Sequence, residues 1–572
     1  MRRRIIAASV VSLCAVAAVV ASPAAPPAAS VDTTLVQAQH LAVVERIAQW
    51  DALAGTSRLG TIEGDPVAGT IDVGWVGEVP EALQAIAEEA AAQAIDVRYV
   101  EQAASEAELT ELAADLAGSL AAEGAFSIVI DDAGLTLQLP SEQAAAAVGA
   151  EPIALDAAAA AAVDEVERRA AELGSALTVE QTDAVPATSA AVTTGRLTTG
   201  PLATGRSDDT GVLSGGMRVQ TQLPSGAWQA CTSGFPAVQG HRPVIVTAAH
   251  CSGYRDDRPV RTASGARIGT SDLVAELNDG AQPYDLGVIA APVETRTLPR
   301  VYTSETSTVT IVDAMRTVPP AGYGLCSAGA SGWRCDLTAG AASIACFGAP
   351  HGSECARVQL VRAASATAFC AGDSGGPVVA PPTAAGAVAA GVISGMRATG
   401  SGACAAEGYI APIADLFRAV HGVQLHTTPA PPCLPATSTP AQCASGERAV
   451  AAILDALAAE RARAGLPPLL QDACLASLAG DWAATSAGSR LAAGAHNPQL
   501  DARSRACLVP TWAENVGRTL TAEADATRMM SAWMASSAHR ANILRADVTH
   551  VGVGVARGTN GYWYFVLDFG RR

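Results

Sequence analysis

The chain has no lysine: its 37 basic residues are all arginine, set against 55 acidic ones, and the formal net charge is -18. The missing lysine reflects composition rather than mechanism, but the acidic balance excludes a nucleic-acid partner held by a basic face. Aromatic residues make up 4% and charged residues 16% of 572 positions, while 49% are hydrophobic, alanine foremost. Cores can therefore form, but largely from small side chains. There is no cysteine between Cys14 and Cys231, which marks a boundary between a bridge-free region and a bridged one. Beyond the first twenty or so residues, no run is apolar for long enough to span a bilayer.

What stands at the start is a positive "MRRR", an apolar "IIAASVVSLCAVAAVVA" and a small-residue stretch "SPAAPPAAS". This is the pattern of a secretory signal over residues 1–21, cleaved between 21 and 29. It predicts a secreted protein with no membrane span in its mature form. Thirteen cysteines less Cys14 leave twelve, enough for six bridges in an oxidising compartment.

Residues 31–205 read as an acidic α/β region. "GTIDVGWV" and "IDVRYVEQ" look like strands, and "PEALQAIAEEAAAQA" like a helix with Leu83, Ile86 and Ala90 on one face. Ser105 and Glu108 have capping-box spacing, a hairpin is expected around Asp132–Gly134, and "DAAAAAAVDEVERRAAEL" is helical. The end of this region, "DAVPATSAAVTTGRLTTGPLATG", reads as an exposed connector that a protease could cut. Residues 206–425 alternate short Val, Ile and Thr runs with Gly, Pro and Ser clusters, as an all-β domain does. Residues 426–446 form a Pro/Thr-rich linker, and 447–572 turn helical and close on the strand "YWYFVLDFG".

The chemistry lies in the middle region. In "CAGDSGGPVV" Ser374 sits in a tight glycine-rich turn. A serine hydroxyl needs a neighbouring base, and that base needs a fixed tautomer. His250 ends the apolar run "VIVTAAHC", and Asp285 opens another in "YDLGVIAAP". The three supply a nucleophile, a proton shuttle and an orienting carboxylate. The N–H groups of Gly372 and Ser374 are placed to meet a developing oxyanion, with Gly372 free to adopt the unusual backbone that this requires.

"TAAHC" with "GDSGGP" resembles the chymotrypsin-like serine peptidases. "VLSGGMRV", "CTSGFPAV" and "LCSAGASGWRC" resemble the bacterial streptogrisin and α-lytic branch, over roughly residues 212–425. The resemblance implies two β-barrels with the triad between them, acyl-enzyme hydrolysis of protein or peptide substrates, and an N-terminal pro-region that serves as folding partner. It implies bridges Cys231–Cys251, Cys326–Cys335 and Cys370–Cys404, with Cys346–Cys355 closing an extra loop. It also assigns Ser394 a hydrogen bond near the buried aspartate, and places Gly395, Met396 and Ala368 around the substrate side chain. Ala368 offers no counter-charge and Met396 narrows the slot, so small or medium apolar side chains are expected. Glu407 is expected on the surface. The sequence departs from the family at Asp336, where a glycine usually follows the cysteine, and in the short spacing ahead of Ser374.

Residues 447–572 resemble bacterial members of the CAP superfamily through "AHNP", "AENVG" and "AWMASSAHRANIL". This implies an α/β/α sandwich whose cleft gathers His496, Glu514 and His539. Ser536 stands where a second acidic residue is usual, so no cofactor is assigned. His496 and His539 remain candidate ligands for zinc or another divalent ion. Cys433–Cys443 and Cys474–Cys507 are the preferred pairings of three that four cysteines allow. The module's ligand is left open among a surface, a lipid and a peptide. The architecture expected is thus multidomain: an α/β pro-region, an all-β double barrel and an α/β/α CAP domain. The competing expectation is a catalytically silent exported scaffold.

Overall fold

The computed structural model describes residues 33–571 apart from 194–205, 208–211, 273–283, 348–353, 420–422, 428–439, 489–494, 498–499, 501–510 and a few single or paired positions. The signal segment, and the pairings expected for Cys433, Cys443, Cys474 and Cys507, lie outside what is described.

The N-terminal region is built from two α/β pieces. In the first, strand Thr70–Trp75 pairs antiparallel with Leu59–Asp65 and parallel with Asp96–Glu101. Helix Glu81–Ala91 lays Leu83, Ile86 and Ala90 on that sheet, the spacing of one helical face, against Ile71, Val73 and Trp75. Helix Thr33–Ala54 adds Val43, Val44 and Ile47 to the same core. The second piece starts at helix Glu106–Leu120. There the Ser105 hydroxyl accepts from the Glu108 N–H while the Glu108 carboxylate accepts from the Ser105 N–H, so the capping box forms. The hairpin Phe126–Asp131/Gly134–Pro140 follows, and helix Ala157–Glu172, capped by Asp156, leads to the parallel strand Ala176–Thr182.

This second sheet continues into the middle of the chain. Phe126–Asp131 pairs antiparallel with the long strand Gly332–Phe347, and Ile344 and Cys346 join the core made by Leu112, Leu116 and Ile128. Buried Arg357 reinforces the junction, donating to Asp415 at 2.6 Å and to Glu106 of the N-terminal helix at 2.9 Å.

The middle region consists of two curled β-sheets. The first half runs from Arg218–Gln222 to Gly287–Ala290 and the second from Thr308–Ala314 to Glu407–Pro412. One apolar cluster crosses between them, with Val244, Val246 and Val288 from the first half and Leu325, Val378 and Val392 from the second.

One expectation is overturned here. Within the described part of the connector expected to be exposed, Val185–Thr188 is a strand antiparallel to Ala387–Ala398, and Ala191–Thr193 is a strand antiparallel to Trp228–Thr232, while 194–205 lie outside the described residues. Ala184 and Val185 are buried. The reason is that both partner strands present an edge, and the backbone groups of a Pro/Thr/Ala-rich stretch can satisfy it as well as those of any other sequence.

In the C-terminal region the sheet order is Leu470–Gln471, His550–Arg557, Trp563–Arg571, Thr511–Thr519. Helices Pro440–Arg463 and Ala526–Ala535 cover one face. Helix Ala473–Gly488 covers the other so closely that a Cβ on Gly552 would lie 2.0 Å from the Leu475 carbonyl carbon. The first helix begins at Pro440, inside the stretch read as linker. Proline suits a first helical turn, and the buried Ser445 hydroxyl accepts from the Ala524 N–H.

Candidate active site

Strand Arg242–Thr247 pairs with Gly287–Ala290, Thr247 opposite Gly287. The residues just beyond these paired ends therefore meet. One is the short turn Ala249–Ser252 carrying His250; the other is Asp285. The Cys231–Cys251 bridge ties the turn to the neighbouring strand. Ser374 comes from the second half, in a turn held open by Gly372 (φ +96°) and Gly375 (φ +81°). A Cβ on Gly375 would fall 2.1 Å from Thr247 Oγ1, so only glycine lets this turn press against the first half.

The three side chains form one line. Asp285 Oδ2 lies 2.7 Å from His250 Nδ1, and His250 Nε2 lies 2.8 Å from Ser374 Oγ. The other carboxylate oxygen accepts from the His250 backbone N–H at 2.9 Å, and Ser394 Oγ donates to Oδ2 at 2.6 Å. With Asp285 accepting a hydrogen bond from the Nδ1–H, Nε2 carries the lone pair that faces the serine hydroxyl. All four residues are buried.

Asp373, to which the sequence reading gave no role, fixes the turn. Its carboxylate accepts from the N–H and hydroxyl of Ser331 and from the Cys370 N–H, each at 2.8 Å. Burial pushes its pKa up, opposed by those hydrogen bonds and by nearby Arg206. The turn is further held where Ser374 O accepts from Thr232 N at 2.7 Å and Gly372 O from Thr232 Oγ1 at 2.8 Å. The only signal in the sequence was the aspartate's place inside "GDSGG".

Around the cleft, Ala368 is buried and Met396 packs against the cluster that contains Ala368 and Phe369. Gly395 has no room for a side chain: a Cβ there would lie 2.6 Å from the Phe347 ring and 2.7 Å from the Ala187 carbonyl oxygen. Glu407 is half-buried and bridges Arg362 and Arg397, each at 2.8 Å. Asp336 pairs with Arg334 at 2.7 Å. Cys326–Cys335, Cys346–Cys355 and Cys370–Cys404 are bonded.

A strand of the N-terminal region pairs with the end of the strand that carries Ser394. Thr188 stands opposite Gly395 and Ala187 opposite Met396, and beyond a two-residue link Ala191 stands opposite Ala230. The two partner strands both hold the serine turn, Thr232 N donating to Ser374 O and Ile393 O accepting from Gly375 N, each at 2.7 Å.

In the C-terminal region His496 Nδ1 lies 2.5 Å from Glu514 Oε2, and the Asn497 N–H donates to the same carboxylate. Burial raises the Glu514 pKa while His496 opposes it. Burial, and then the charge of His496, lower that of His539, whose carbonyl accepts from Asn515 Nδ2 at 3.0 Å. Ser536 precedes helix Ser537–Ile543 at its N-cap. Among the described residues, the one set of three with mutually close ligand atoms is Cys231, His250 and Cys251, whose sulfurs are already bonded to each other. His496, Glu514 and His539 do not close into such a set.

The trypsin family model matches residues 214–419, and the model of the cysteine-rich secretory protein family, CAP, matches 454–569. The chain carries a trypsin-family domain followed by a CAP domain. Similar solved structures of the trypsin-family domain include Thermobifida fusca protease A (26% identity, 38% of this chain and 99% of that one, TM-score 0.28). A Cellulomonas bogoriensis chymotrypsin is also similar (25%, 38% and 100%, TM-score 0.28). An extracellular SCP-domain protein of Bacillus anthracis is similar at 16% identity over 38% of this chain and 64% of that one, TM-score 0.21. No curated sequence matches the chain.

Proposed function

We propose that the chain is a secreted serine endopeptidase, made as a zymogen, in which Ser374 attacks a peptide carbonyl. His250 takes the hydroxyl proton at Nε2 and returns it to the leaving amine, and Asp285 stabilises the imidazolium. The N–H groups of Gly372 and Ser374 receive the oxyanion. Water, deprotonated by His250, then releases the acyl group and restores Ser374. The observation that carries this reading is the continuous hydrogen-bonded line Asp285–His250–Ser374, at 2.7 and 2.8 Å, beside a cleft that accepts a strand. A buried Ala368 and the packing of Met396 support a preference for small or medium apolar side chains ahead of the cut.

The N-terminal region is the pro-region in this reading, because its strand Val185–Thr188 occupies the edge that a substrate backbone would use. The CAP domain serves as a binding or targeting module. The test is an organophosphonate probe on the secreted protein. Labelling at Ser374 that disappears in His250→Ala supports the peptidase, and no labelling after removal of the N-terminal region supports the silent scaffold.

A further inference from the structure

The chemistry above leaves one buried cation on the cleft strand unused. Arg397 follows Met396 on Ala387–Ala398 and is 9% exposed. Its Nη1 donates to Glu407 Oε2 at 2.8 Å. Its Nη2 donates to Gln138 Oε1 at 3.0 Å and to Thr182 Oγ1 at 2.8 Å. Glu407 belongs to the trypsin-family domain, whereas both Nη2 acceptors belong to the N-terminal region.

Departure of that region would change the balance. Glu407 is shared with the exposed Arg362 at 2.8 Å, so two guanidinium groups would remain with one carboxylate. Arg397 would also lose both oxygen acceptors on Nη2. A partly buried cation with unmet N–H donors favours an anionic acceptor over a neutral one. The amide and hydroxyl oxygens of Gln138 and Thr182 hold the place that a substrate carboxylate would take.

The register says which substrate residue would supply it. Arg397 stands opposite Pro186, and Gly395 opposite Thr188. Alternation along a strand puts positions 395 and 397 on one face, and so also the residues paired with them. We propose that Arg397 selects an acidic side chain on the substrate residue that takes the place of Pro186. This rests on the endopeptidase reading. Three peptide bonds link Thr188 to Ala191, and taking the middle one as the bond presented to Ser374 makes the selected residue the fourth before the cut.

The test is digestion of a denatured proteome-derived peptide library by the secreted protein once its N-terminal region has been removed by proteolysis, with cuts mapped by mass spectrometry and Ser374 labelled in parallel by the phosphonate probe. Asp and Glu should exceed Asn and Gln at the fourth position by roughly fivefold or more, the size of one charge-assisted contact in a groove. The excess should shrink at high salt, vanish in Arg397→Gln, and grow in Glu407→Gln. Cutting without an acidic excess at that position, or an excess that survives Arg397→Gln, overturns the proposal while leaving the peptidase intact. A protein freed of its N-terminal region that cuts nothing and takes no label at Ser374 removes the endopeptidase reading, and this proposal with it.

Discussion

If the strand Val185–Thr188 lies in the cleft as a substrate would, the chain's first substrate is itself. Four residue pairs hold the link from one side, Val185 to Thr188 against Gly395 to Ala398, and three hold it from the other, Ala191 to Thr193 against Trp228 to Ala230. Two strands docked on one molecule make the attack unimolecular, and well-oriented intramolecular reactions reach effective molarities on the order of 10⁵ M or more. The cut between Thr188 and Ala191 should therefore proceed at a rate independent of protein concentration. Ser374→Ala should slow it by about four to six orders of magnitude, the usual loss when a nucleophile of this kind is removed. The assay is intact-mass and N-terminal analysis of secreted protein over a hundredfold or so range of dilution. A new N-terminus near Val212 instead, a rate rising with concentration, or a Ser374→Ala chain cut as fast as the parent would refute the substrate-like reading of this strand.

Ser394→Ala removes the 2.6 Å donor on Asp285 and should lower kcat about tenfold with little change in KM, read from steady-state kinetics. Arg357→Ala leaves the fully buried Asp415 without its cation, and should cost about 3–5 kcal/mol in chemical unfolding. Glu106→Ala, touching the same arginine from a more exposed position, should cost much less. Glu45 accepts from the Arg316 and Thr317 N–H groups, and burial raises its pKa from 4.5 to about 7. The docked form then binds a proton that the free region does not. Docking of the N-terminal region should accordingly tighten by about tenfold or more as pH falls from above 7 towards 5, and Glu45→Gln should flatten that trend in a binding titration.

The meeting of Asp285, His250 and Ser374 was legible because each sits at the end of an apolar run, and pairing such runs leaves their ends adjacent: Thr247 opposite Gly287 carries His250 and Asp285 together. The capping box at Ser105 and Glu108 was legible because its chemistry is local. The strand Val185–Thr188 was not, since nothing in "AVPATS" alternates; its pairing is decided by the edge it meets. Asp373 and Arg397 escaped for a related reason. Both act through partners distant in sequence, Ser331 for one and Gln138 and Thr182 for the other, and none of the three carries a pattern of its own.

The attachments of the N-terminal region also bear on how the cleft would open. Beyond the cleft strand, it shares a sheet through Phe126–Asp131 and a core through Ile344 and Cys346. It clamps Gly324 through Gln37 and meets Arg316 and Thr317 through Glu45. Cutting one peptide bond leaves every one of these contacts in place. Apolar burial over that shared core, at roughly 25 cal/mol per Å², opposes dissociation whether or not the chain is continuous. The cut alone would then yield a two-chain complex with its cleft still filled, and exposure of Ser374 would follow only once the N-terminal piece is itself degraded or displaced.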